Sequence, residues 1–494
     1  MNSFSKSGLS SAQAANDYIV APNGGDITGA ELSAKLSAGD VTLQSSKGSV
    51  IINDVVAWSA DTTLTLVASH NVTINAEIAA TGDTAGLVLS PNSANGAEPS
   101  SGNGQYIFNV PAITLSGATP TLTIAGTSYT VINALGQAGD VTTPPANPTL
   151  QGMAATKSLS GHFALGSDID ASATSSWNDG KGFTPIGSSN SPFLGMLDGL
   201  GHTIHNLTIN QPIAYITSGT NINIGLFGVV GKSNSDAGIV QNIGLSGGVI
   251  NGNLFVGALV GENYGTISNS YAAVTINGGR YSVGGLVGQN MGTIENSYAT
   301  GNVTVEYVHS SGMYSEGIGG LAGKSFGTIN NCHATGDVKG GYSIGGLVGK
   351  SNVSHIDNSY STSNVDGINM VGGLVGELYA VNGHGNSTVR NSYAMGSVKG
   401  SSNVGGLVGQ SNSYAGVMTA NSVINSYSTG SVQGEKNNIG GLIGAAQPDD
   451  TVSDSYWDKS TSGLSTSAGG LGLTSDDMKT AASFKGFTFT SKPG

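Results

Sequence analysis

The second half of the chain repeats a short core that reads Gly-Leu-x-Gly. Its shortest steps are 26 or 27 residues, and insertions lengthen the others to 33 or 35 residues. Repeats of this length in a chain of 494 residues are typical of solenoids and propellers. The core leucines, one of which follows Ala rather than Gly, are Leu226, Leu259, Leu286, Leu321, Leu347, Leu374, Leu407 and Leu442.

Each repeat carries two apolar patches, such as VGGLVG at Val283–Gly288 and GTIENSYATGNV at Gly292–Val303. Spacing alone leaves open a helix face shared by Val283, Leu286 and Val287. The frequent glycines count against a helix, since each costs about 1 kcal/mol relative to alanine in a helix interior. A propeller blade needs roughly 40 to 45 residues, which is more than the shortest steps contain. The pattern therefore predicts an all-β, right-handed parallel β-helix (solenoid) with irregular loop insertions.

In a parallel β-helix, equivalent residues of successive rungs stack at a spacing of about 4.8 Å. We therefore expect an internal ladder of the core leucines, a half-buried Tyr ladder with wet hydroxyl groups, and an Asn ladder at a turn. The expected Tyr ladder contains Tyr271, Tyr298, Tyr360, Tyr393, Tyr427 and Tyr456, with His333 replacing Tyr in one repeat. The expected Asn ladder contains Asn269, Asn296, Asn331, Asn358, Asn391 and Asn425, with Asp454 closing it.

Composition argues against several classes of function. The formal net charge is −13 and the 17 Lys and Arg residues are spread thinly, so no basic stripe exists for a nucleic-acid backbone. No apolar run approaches the roughly 20 residues of a membrane helix. The single cysteine, Cys332, excludes an intramolecular disulfide and a four-thiolate metal site, and we expect it to be a small, half-buried residue in a Ser position. We predict no cofactor and no metal site.

Residues 24–90 have a different sequence pattern, in which apolar and polar residues alternate over short stretches. This pattern is typical of β-helix or sandwich coils. Within them, the string GAELSAKLSAG indicates a short helical turn or cap. Residues 137–149 contain a proline pair and indicate a linker or long loop. The expected division is a flexible N-terminus over 1–23, a strand-rich segment over 24–149, lead-in strands over 150–223, the repeat β-helix over 224–459, and an exit segment or C-terminal cap over 460–494.

The repeat core, together with NSYATG at a similar separation, resembles the GLUG motif over roughly residues 224–459. The strings FLGMLDGLGHTIHNLTIN and SYWDKSTSGLSTSAGG resemble the lead-in and exit of such repeats in filamentous-haemagglutinin-like exoproteins. The resemblance implies a secreted or surface-exposed bacterial adhesin that binds host cells, matrix or glycans. It also implies two-partner secretion through an outer-membrane partner. The amino-terminal secretion domain of that family is absent, so we expect a fragment or processed piece.

GLUG repeats are also similar to segments that flank metallopeptidases cutting immunoglobulin A. The activity of that family needs the string His-Glu-x-x-His. This string does not occur in the chain, so peptidase activity has little support.

A parallel β-helix also hosts carbohydrate-active enzymes, so an extracellular glycosidase or polysaccharide lyase is the alternative function. Such chemistry uses paired carboxylates, about 5–5.5 Å apart for retention and roughly 6.5–9.5 Å apart for inversion. In a strand, Asp168 and Asp170 share one face at about 6.5 to 7 Å. Trp177 is a candidate for stacking on a sugar, and Asp198 precedes a turn with His202 behind it. The other interpretation is that these aspartates only fix turns and that His202 is solvated.

A second candidate cluster lies in one of the longer insertions. It combines the carboxylates of Glu306 and Glu316 with the ligand-binding candidates Tyr307, His309 and Tyr314. Aromatic and carboxylate groups on a loop suit carbohydrate binding or acid–base chemistry. The other interpretation is a polar loop on a rigid scaffold.

Overall fold

The computed structural model describes residues 2–6, 17–93, 105–109, 112–140, 148–155, 159–211, 223–233, 238–306, 316–381, 385–413 and 420–488. The chain divides into two compact units. The first contains residues 1–169 and 195–203, and the second contains residues 170–194 and 204–494. Short parallel strands dominate both units, and the predicted parallel β-helix is confirmed.

In the first unit, the chain coils through three parallel sheets. The register is continuous, so that Val41 pairs with Leu64, Leu64 with Leu87 and Leu87 with Leu122. These buried residues belong to the core of the unit. Successive strands enter different sheets, which identifies β-helix coils rather than a sandwich. The strands are Asn2–Lys6, Val41–Ser45, Thr63–Ala68, Gly86–Ser90 and Thr121–Ile124 in the first sheet, Tyr18–Val20, Val50–Ile52, Val72–Ile74 and Tyr106–Phe108 in the second, and Val56–Trp58, Ile78–Ala80 and Ile113–Leu115 in the third.

The last coil of this unit reverses direction. Thr127–Ile132 runs antiparallel to Thr121–Ile124 and parallel to His162–Leu165, which pairs in turn with Met196–Asp198. A 3-10 helix spans Gln151–Ala154. The strands that contain the boundaries between the two units are Ile169–Asp170 and Thr203–His205.

An α-helix, Gly29–Leu36, forms the predicted helical cap. The side chain of Thr28 accepts a hydrogen bond from the backbone N–H of Glu31, and the carboxylate of Glu31 accepts one from the N–H of Thr28. This capping box satisfies two backbone donors that the helix itself leaves free. Leu32 and Leu36 are fully buried in the core of the unit, so the cap closes over apolar surface.

Two strands lie within the segment 1–23 that was predicted as a flexible N-terminus. Asn2–Lys6 pairs in parallel with Val41–Ser45, and Tyr18–Val20 pairs in parallel with Val50–Ile52. The physical reason at the second strand is its alternation, which buries Tyr18 and Val20 on the inner face of the sheet.

In the second unit, each repeat forms one rung with three sides. From Val287–Asn290 the chain turns into Thr293–Glu295 and turns again at Asn296. Each strand pairs in parallel with the equivalent strand of the next rung, as Thr293 does with Thr328. The rung is completed by three short strands, Tyr298–Ala299, Val303–Val305 and Glu316–Gly319.

The sides of the second unit are three long parallel sheets. The first side contains Phe227–Val230, Val260–Asn263, Val287–Asn290, Ala322–Ser325, Val348–Asn352, Val375–Ala380, Val408–Ser413 and Ile443–Ala445. The second side contains Ile239–Gln241, Thr266–Ser268, Thr293–Glu295, Thr328–Asn330, His355–Asp357, Thr388–Arg390, Ser422–Ile424 and Thr451–Ser453.

The third side is formed by longer strands at first and then by three short strands in each rung. Its members are Thr208–Asn210, Gly244–Val256, Tyr271–Gly284, Tyr298–Ala299, Val303–Val305, Glu316–Gly319, His333–Ala334, Val338–Lys339, Tyr342–Gly345, Tyr360–Ser361, Val365–Asp366, Asn369–Gly372, Tyr393–Ala394, Val398–Gly400, Ser402–Gly405, Tyr427–Ser428, Val432–Gly434, Ile439–Gly440, Tyr456–Asp458 and Leu471–Leu473. The helical segments of the unit are Ser172–Ser176, Asn178–Gly180, Lys459–Ser462, Asp477–Lys479 and Ala481–Ser483.

The core leucines of the repeats stack in one internal ladder, as predicted. All eight are fully buried. From Leu259 to Leu407, the backbone N–H of each leucine donates to the carbonyl of the next leucine in the ladder, for example Leu321 to Leu347 at 2.9 Å. Parallel pairing in register places equivalent residues of successive rungs directly over one another, so each rung extends the same apolar column.

The flanking glycines of the Gly-Gly-Leu-x-Gly core stand where two backbones approach closely. A Cβ on Gly345 would overlap the carbonyl oxygen of Val348, three residues further along the chain. A Cβ on Gly349 would overlap the backbone nitrogen of Ile318, 31 residues earlier in the chain. Backbone atoms cannot rotate away as a flexible side chain does, so the tight fold of each rung requires glycine at both positions.

Replacing Gly349 with Ala should destabilise the second unit by about 1–3 kcal/mol, the usual cost of overpacking. The matched control is Gly39→Ala, because a Cβ at Gly39 meets nothing within 4 Å. Urea unfolding followed by circular dichroism measures the midpoint of each variant. Equal midpoints for the two variants would contradict the close approach of the rungs.

Candidate binding surface

An Asn column lines the turn that follows the second side. Its residues have φ between 46° and 53°, a left-handed conformation that Asn and Asp adopt more readily than other residues with a Cβ. The side-chain amide of Asn331 donates to the side-chain oxygen of Asn296 at 2.7 Å, and that of Asn391 donates to Asn358 at 3.3 Å. The predicted Asn ladder is therefore confirmed. Its members are Asn242, Asn269, Asn296, Asn331, Asn358, Asn391 and Asn425, with Asp454 at the end.

A column of aromatic rings lies beside the Asn ladder. The successive ring centroids are 5.1, 4.8, 4.7, 4.9 and 5.0 Å apart, and neighbouring ring planes differ by at most 6°. The rings are half-buried, as predicted, so their edges border solvent while their faces are covered by each other. The members of this stack are Tyr271, Tyr298, His333, Tyr360, Tyr393 and Tyr427.

The last predicted member of the ladder, Tyr456, is buried rather than half-buried. Phe484 and Phe487 pack at 5.1 and 6.0 Å from the Tyr456 ring, and the same two rings pack at 6.2 and 6.4 Å from Tyr427. The Tyr456 hydroxyl also accepts a hydrogen bond from the backbone N–H of Lys485 at 2.8 Å. The exit segment therefore covers the end of the ladder, so the prediction of a wet hydroxyl group is wrong for this rung.

Burial changes the titration of the stacked rings. It raises the pKa of Tyr298 and Tyr393, and raises that of Tyr427 to about 12, with the neighbouring tyrosine as the second cause in each case. Burial also lowers the pKa of His333 below its ordinary 6.5. Desolvation disfavours both the phenolate and the imidazolium, so these four rings are uncharged at neutral pH.

Cys332 lies in an internal column that Ser otherwise occupies. In that column, the hydroxyl of Ser392 donates to the carbonyl of Arg390 at 2.6 Å and accepts from the N–H of Ser359 at 3.1 Å. The thiol of Cys332 lies 3.2 Å from the carbonyl oxygen of Asn330. Cys332 is fully buried rather than half-buried as predicted, and burial raises its thiol pKa to about 12.

A row of four charged side chains forms what we call the charged seam: Glu316, Lys324, Lys350 and Glu377. Glu316 Oε1 lies 3.3 Å from Lys324 Nζ and 3.1 Å from Lys350 Nζ. Lys350 Nζ lies 3.0 Å from Glu377 Oε2. Glu377 is 5% exposed and Lys350 is 16% exposed, so water screens this network far less than a surface ion pair.

The surroundings of the charged seam complete its hydrogen bonding. Ser343 donates to Glu377 Oε2 at 3.0 Å, and Lys350 Nζ lies 4.8 Å from the centre of the Tyr379 ring. Desolvation by burial alone would raise the pKa of Glu316, but Lys324 and Lys350 leave it lowered. Burial likewise lowers the pKa of Lys350, but the carboxylates of Glu377 and Glu316 leave it raised. These shifts keep Glu316 and Lys350 ionised, and the seam contains as many carboxylates as ammonium groups.

Asp168 and His202 are brought together in the first unit, whereas Asp198 is separately engaged. Asp168 Oδ1 accepts from the N–H of Thr203 at 2.9 Å and lies 3.0 Å from His202 Nδ1. The other ring nitrogen of His202 lies 2.9 Å from the carbonyl oxygen of Ile113. His202 is 4% exposed, so the interpretation of a solvated turn residue is wrong. Both ring nitrogens of His202 therefore lie within hydrogen-bond distance of an oxygen atom.

Asp198 is fully buried, and its Oδ1 accepts a hydrogen bond from the backbone N–H of Leu200 at 2.9 Å. Burial, followed by the nearby Asp198 carboxylate, raises the pKa of Tyr129 to about 12. A carboxylate enclosed in this way holds a turn and has no surface that a polymeric substrate reaches.

Asp170 and Trp177, both in the second unit, shape the segment that leads into the repeats. Asp170 is exposed and accepts hydrogen bonds from the N–H and the hydroxyl of Ser172, each at 3.0 Å. The Ser172 N–H is the main cause that lowers the pKa of Asp170. Trp177 is half-buried and stacks on the buried Phe183 ring, with centroids 6.4 Å apart. These contacts support the turn-fixing interpretation of Asp170.

The candidates from the insertion divide between described and undescribed residues. Glu306 is exposed after the strand Val303–Val305. Glu316 belongs to the charged seam. Tyr307, His309 and Tyr314 lie outside the described residues.

Sequence reasoning predicted the Tyr and Asn ladders but missed the charged seam. One feature of the repeats could have indicated this seam. The residue directly after the closing glycine of the core is polar in six successive repeats. Those residues are Glu262, Gln289, Lys324, Lys350, Glu377 and Gln410, and they pair in register in the first side.

Two kinds of feature are absent from the part of the chain that the structure describes. Among its helices, none has the length and apolar character needed to cross a bilayer. Among its His, Cys, Asp and Glu side chains, no group of three or more is arranged to hold a metal ion.

Comparison with known proteins supports the resemblance of the repeats. A family model described as "The GLUG motif" matches residues 279–304 and 314–339. The match confirms the motif in two neighbouring repeats. It does not test whether the whole chain is related to filamentous-haemagglutinin-like exoproteins.

Two curated relatives match parts of the chain. "Halomucin" from Haloquadratum walsbyi is 44% identical over 122 residues, which are 24% of this chain and 1% of that protein. A "Putative Gly-rich membrane protein" from Evansella cellulosilytica is 40% identical over 111 residues, which are 22% of this chain and 12% of that protein. The chain therefore spans a small part of either relative.

A solved structure was also matched, that of a "putative immunoglobulin A1 protease" from Bacteroides ovatus. The alignment covers 65% of this chain and 79% of that chain at 18% identity, with a TM-score of 0.36. A similarity of this strength carries no functional argument.

The lowered pKa of His333 predicts a pH dependence of stability. The unfolded chain binds a proton at this site before the folded chain does, so His333 costs stability as the pH falls below about 6.5. His333→Tyr should remove this contribution and complete the Tyr ladder. His355→Tyr, on an exposed residue of another side, is the control. The measurement is the urea midpoint of each variant at pH 8 and pH 5. An unchanged pH dependence of the midpoint in His333→Tyr would contradict the predicted contribution of His333.

The charged seam predicts that loss of one partner is costly. Glu377→Gln should destabilise the second unit by about 1.5–3 kcal/mol, because Lys350 loses a charged hydrogen-bond partner in a largely buried site. Asp476→Asn is the control, since Asp476 and its partner Lys479 are 97% and 76% exposed and such pairs contribute about 0–1 kcal/mol. If denaturant unfolding showed the same loss of unfolding free energy in both variants, the charged seam would contribute no more to stability than an exposed ion pair.

Proposed function

We propose that this chain is a secreted or surface-exposed, adhesin-like β-helix segment that binds host cells, matrix or glycans. The observation that carries the proposal is the contrast between its carboxylates and its ladders. Asp168, Asp170, Asp198 and Glu316 are already held by hydrogen bonds or ion pairs. In contrast, four successive rungs, from Asn296 to Tyr393, carry exposed Asn side chains beside half-buried aromatic rings, which suits repeated contact with an extended partner.

The proposed location rests on the sequence relatives and on the chemistry of the fold. The GLUG match and relatives named as a mucin and a membrane protein favour a surface role. The rungs obtain their stability from backbone pairing and stacked side chains, so a cysteine-poor chain tolerates an extracellular setting without disulfides. Export through an outer-membrane secretion partner is the finer part of the proposal, and it rests on the filamentous-haemagglutinin-like resemblance alone.

The buried and bonded carboxylates favour binding over catalysis. Glycosidic cleavage needs one carboxyl group to donate a proton and another to act as a base or nucleophile at the same bond. Asp198 is enclosed in the core, and Glu316 is neutralised by two lysines. Neither arrangement leaves a carboxyl group ready to exchange protons with a sugar.

The test is to incubate the labelled full chain with panels of host cells, matrix proteins and immobilised glycans, and to assay the polysaccharide samples for reducing ends and unsaturated products. We expect saturable attachment to at least one panel and no product formation. Product that disappears in Asp168→Asn or Glu316→Gln would replace the proposal with a carbohydrate-active enzyme. Absence of attachment across all three panels would refute the binding function.

A further inference from the structure

Three side-chain columns lie next to each other over four rungs of the second unit and form what we call the uncharged strip. Its Asn and Thr columns and Met395 are exposed, and its ring column is half-buried. The lowered pKa of His333 keeps this ring neutral near neutral pH. The members are Asn296, Asn331, Asn358 and Asn391, then Tyr298, His333, Tyr360 and Tyr393, then Thr300, Thr335, Thr362 and Met395.

The rungs that follow the uncharged strip show what such a surface accepts, because the chain covers them with its own exit segment. Phe484 and Phe487 each contact both Tyr427 and Tyr456, so they lie along the side of the ladder rather than beyond its last ring. The ring planes of Phe484 and Tyr456 differ by 67°, an edge-to-face arrangement. Such pairs contribute about 0.5–1.5 kcal/mol beyond the burial of their area.

The backbone of the same segment fits against the Asn ladder. The Tyr456 hydroxyl accepts from the N–H of Lys485 at 2.8 Å and lies 3.2 Å from the carbonyl oxygen of the same residue. Gly486 passes so close to Asn425 and Asp454 that a Cβ there would press on both side chains. One peptide therefore uses the phenol hydroxyl group for its backbone and the ring edges for its aromatic side chains.

We propose that the uncharged strip docks an extended peptide of a partner protein that carries two aromatic side chains three residues apart. This inference rests on the proposed attachment function and names the class of partner. The strip repeats the chemistry of the covered rungs, with stacked rings whose edges are accessible. The exposed thioether of Met395 adds a soft, adaptable contact for an aromatic ring.

The stacking of the rings favours an aromatic peptide over a sugar. A sugar packs on the face of an aromatic ring, but in this ladder the faces are covered by rings about 5 Å away. The edges carry the positive part of the ring quadrupole and suit the face of another aromatic ring. The strip also holds no cation that would attract a polyanion, and the chain has a net charge of −13.

The direct test is a titration of the full chain with the fluorescent peptide SFKGFT, which is the sequence of residues 483–488. We expect saturable binding by fluorescence anisotropy, and at least tenfold weaker binding of the control peptide SAKGAT. Equal affinity for the two peptides, or no binding of SFKGFT, would overturn the proposal.

Variants locate the site without disturbing the fold. Thr362→Lys and Met395→Lys place a charge on exposed positions of the strip and should each weaken peptide binding at least tenfold. Thr451→Lys, at an exposed position of the second side, is the matched control and should bind as the wild type does. A peptide that binds all three variants equally would overturn the assignment to the strip.

The outcomes separate this inference from the proposed function. If the chain attaches to a surface panel and Thr362→Lys attaches equally well, the strip is not the docking surface and the attachment function stands. If the chain attaches to no panel but binds SFKGFT through the strip, the docking surface stands and the attachment function fails. If glycans bind through the strip and SFKGFT does not compete with them, the partner is a sugar and the inference is wrong.

Discussion

Parallel backbone hydrogen bonding in register, from one rung to the next, is the constraint on which the rest of the structure depends. It forces every column of the second unit to repeat the same side chain or an acceptable substitute at a spacing of about 4.8 Å. The core leucines accordingly stack on one another, and from Leu259 to Leu407 each donates its backbone N–H to the next leucine. The same constraint excludes a Cβ at Gly349, because the two backbones approach too closely there. A chain that obeys this rule gains one rung of core with each repeat.

The constraint also organises the surface, and this links the fold to the proposed function. Columns of Asn, aromatic rings and Thr run along the unit because their positions in each repeat are equivalent. Cys332, in an internal column, is a substitution accommodated by burial, and His333, in the half-buried ring column, is one accommodated by stacking. The charged seam applies the rule differently. Lys324 and Lys350 are like charges paired in register, and the carboxylate of Glu316, which contacts both ammonium groups, compensates their repulsion.

The ladders could be predicted because they depend only on which positions are equivalent from one repeat to the next. Once the repeat is aligned on its leucines, Tyr298 and Tyr360 are assigned to one column without any knowledge of the coordinates. The ion pair between Glu316 and Lys350 joins residues 34 positions apart and on different strands of different rungs. Its formation depends on how the two strands fold against each other. The burial of Tyr456 was unpredictable for a related reason, since the exit segment carries no repeat to align with the ladder.

The repeat alone was enough to predict the period, the parallel β-helix and the identity of its columns, because repetition and in-register pairing leave few alternatives. Which polar groups lie on the surface and which are held inside depended on the folded structure. His202, for example, is held between two oxygen atoms that are distant in the sequence. One belongs to the carboxylate of Asp168, 34 residues away, and the other to the carbonyl of Ile113, 89 residues away. Contacts over such separations depend on where the coils of the first unit bring the backbone together. No local pattern encodes that placement.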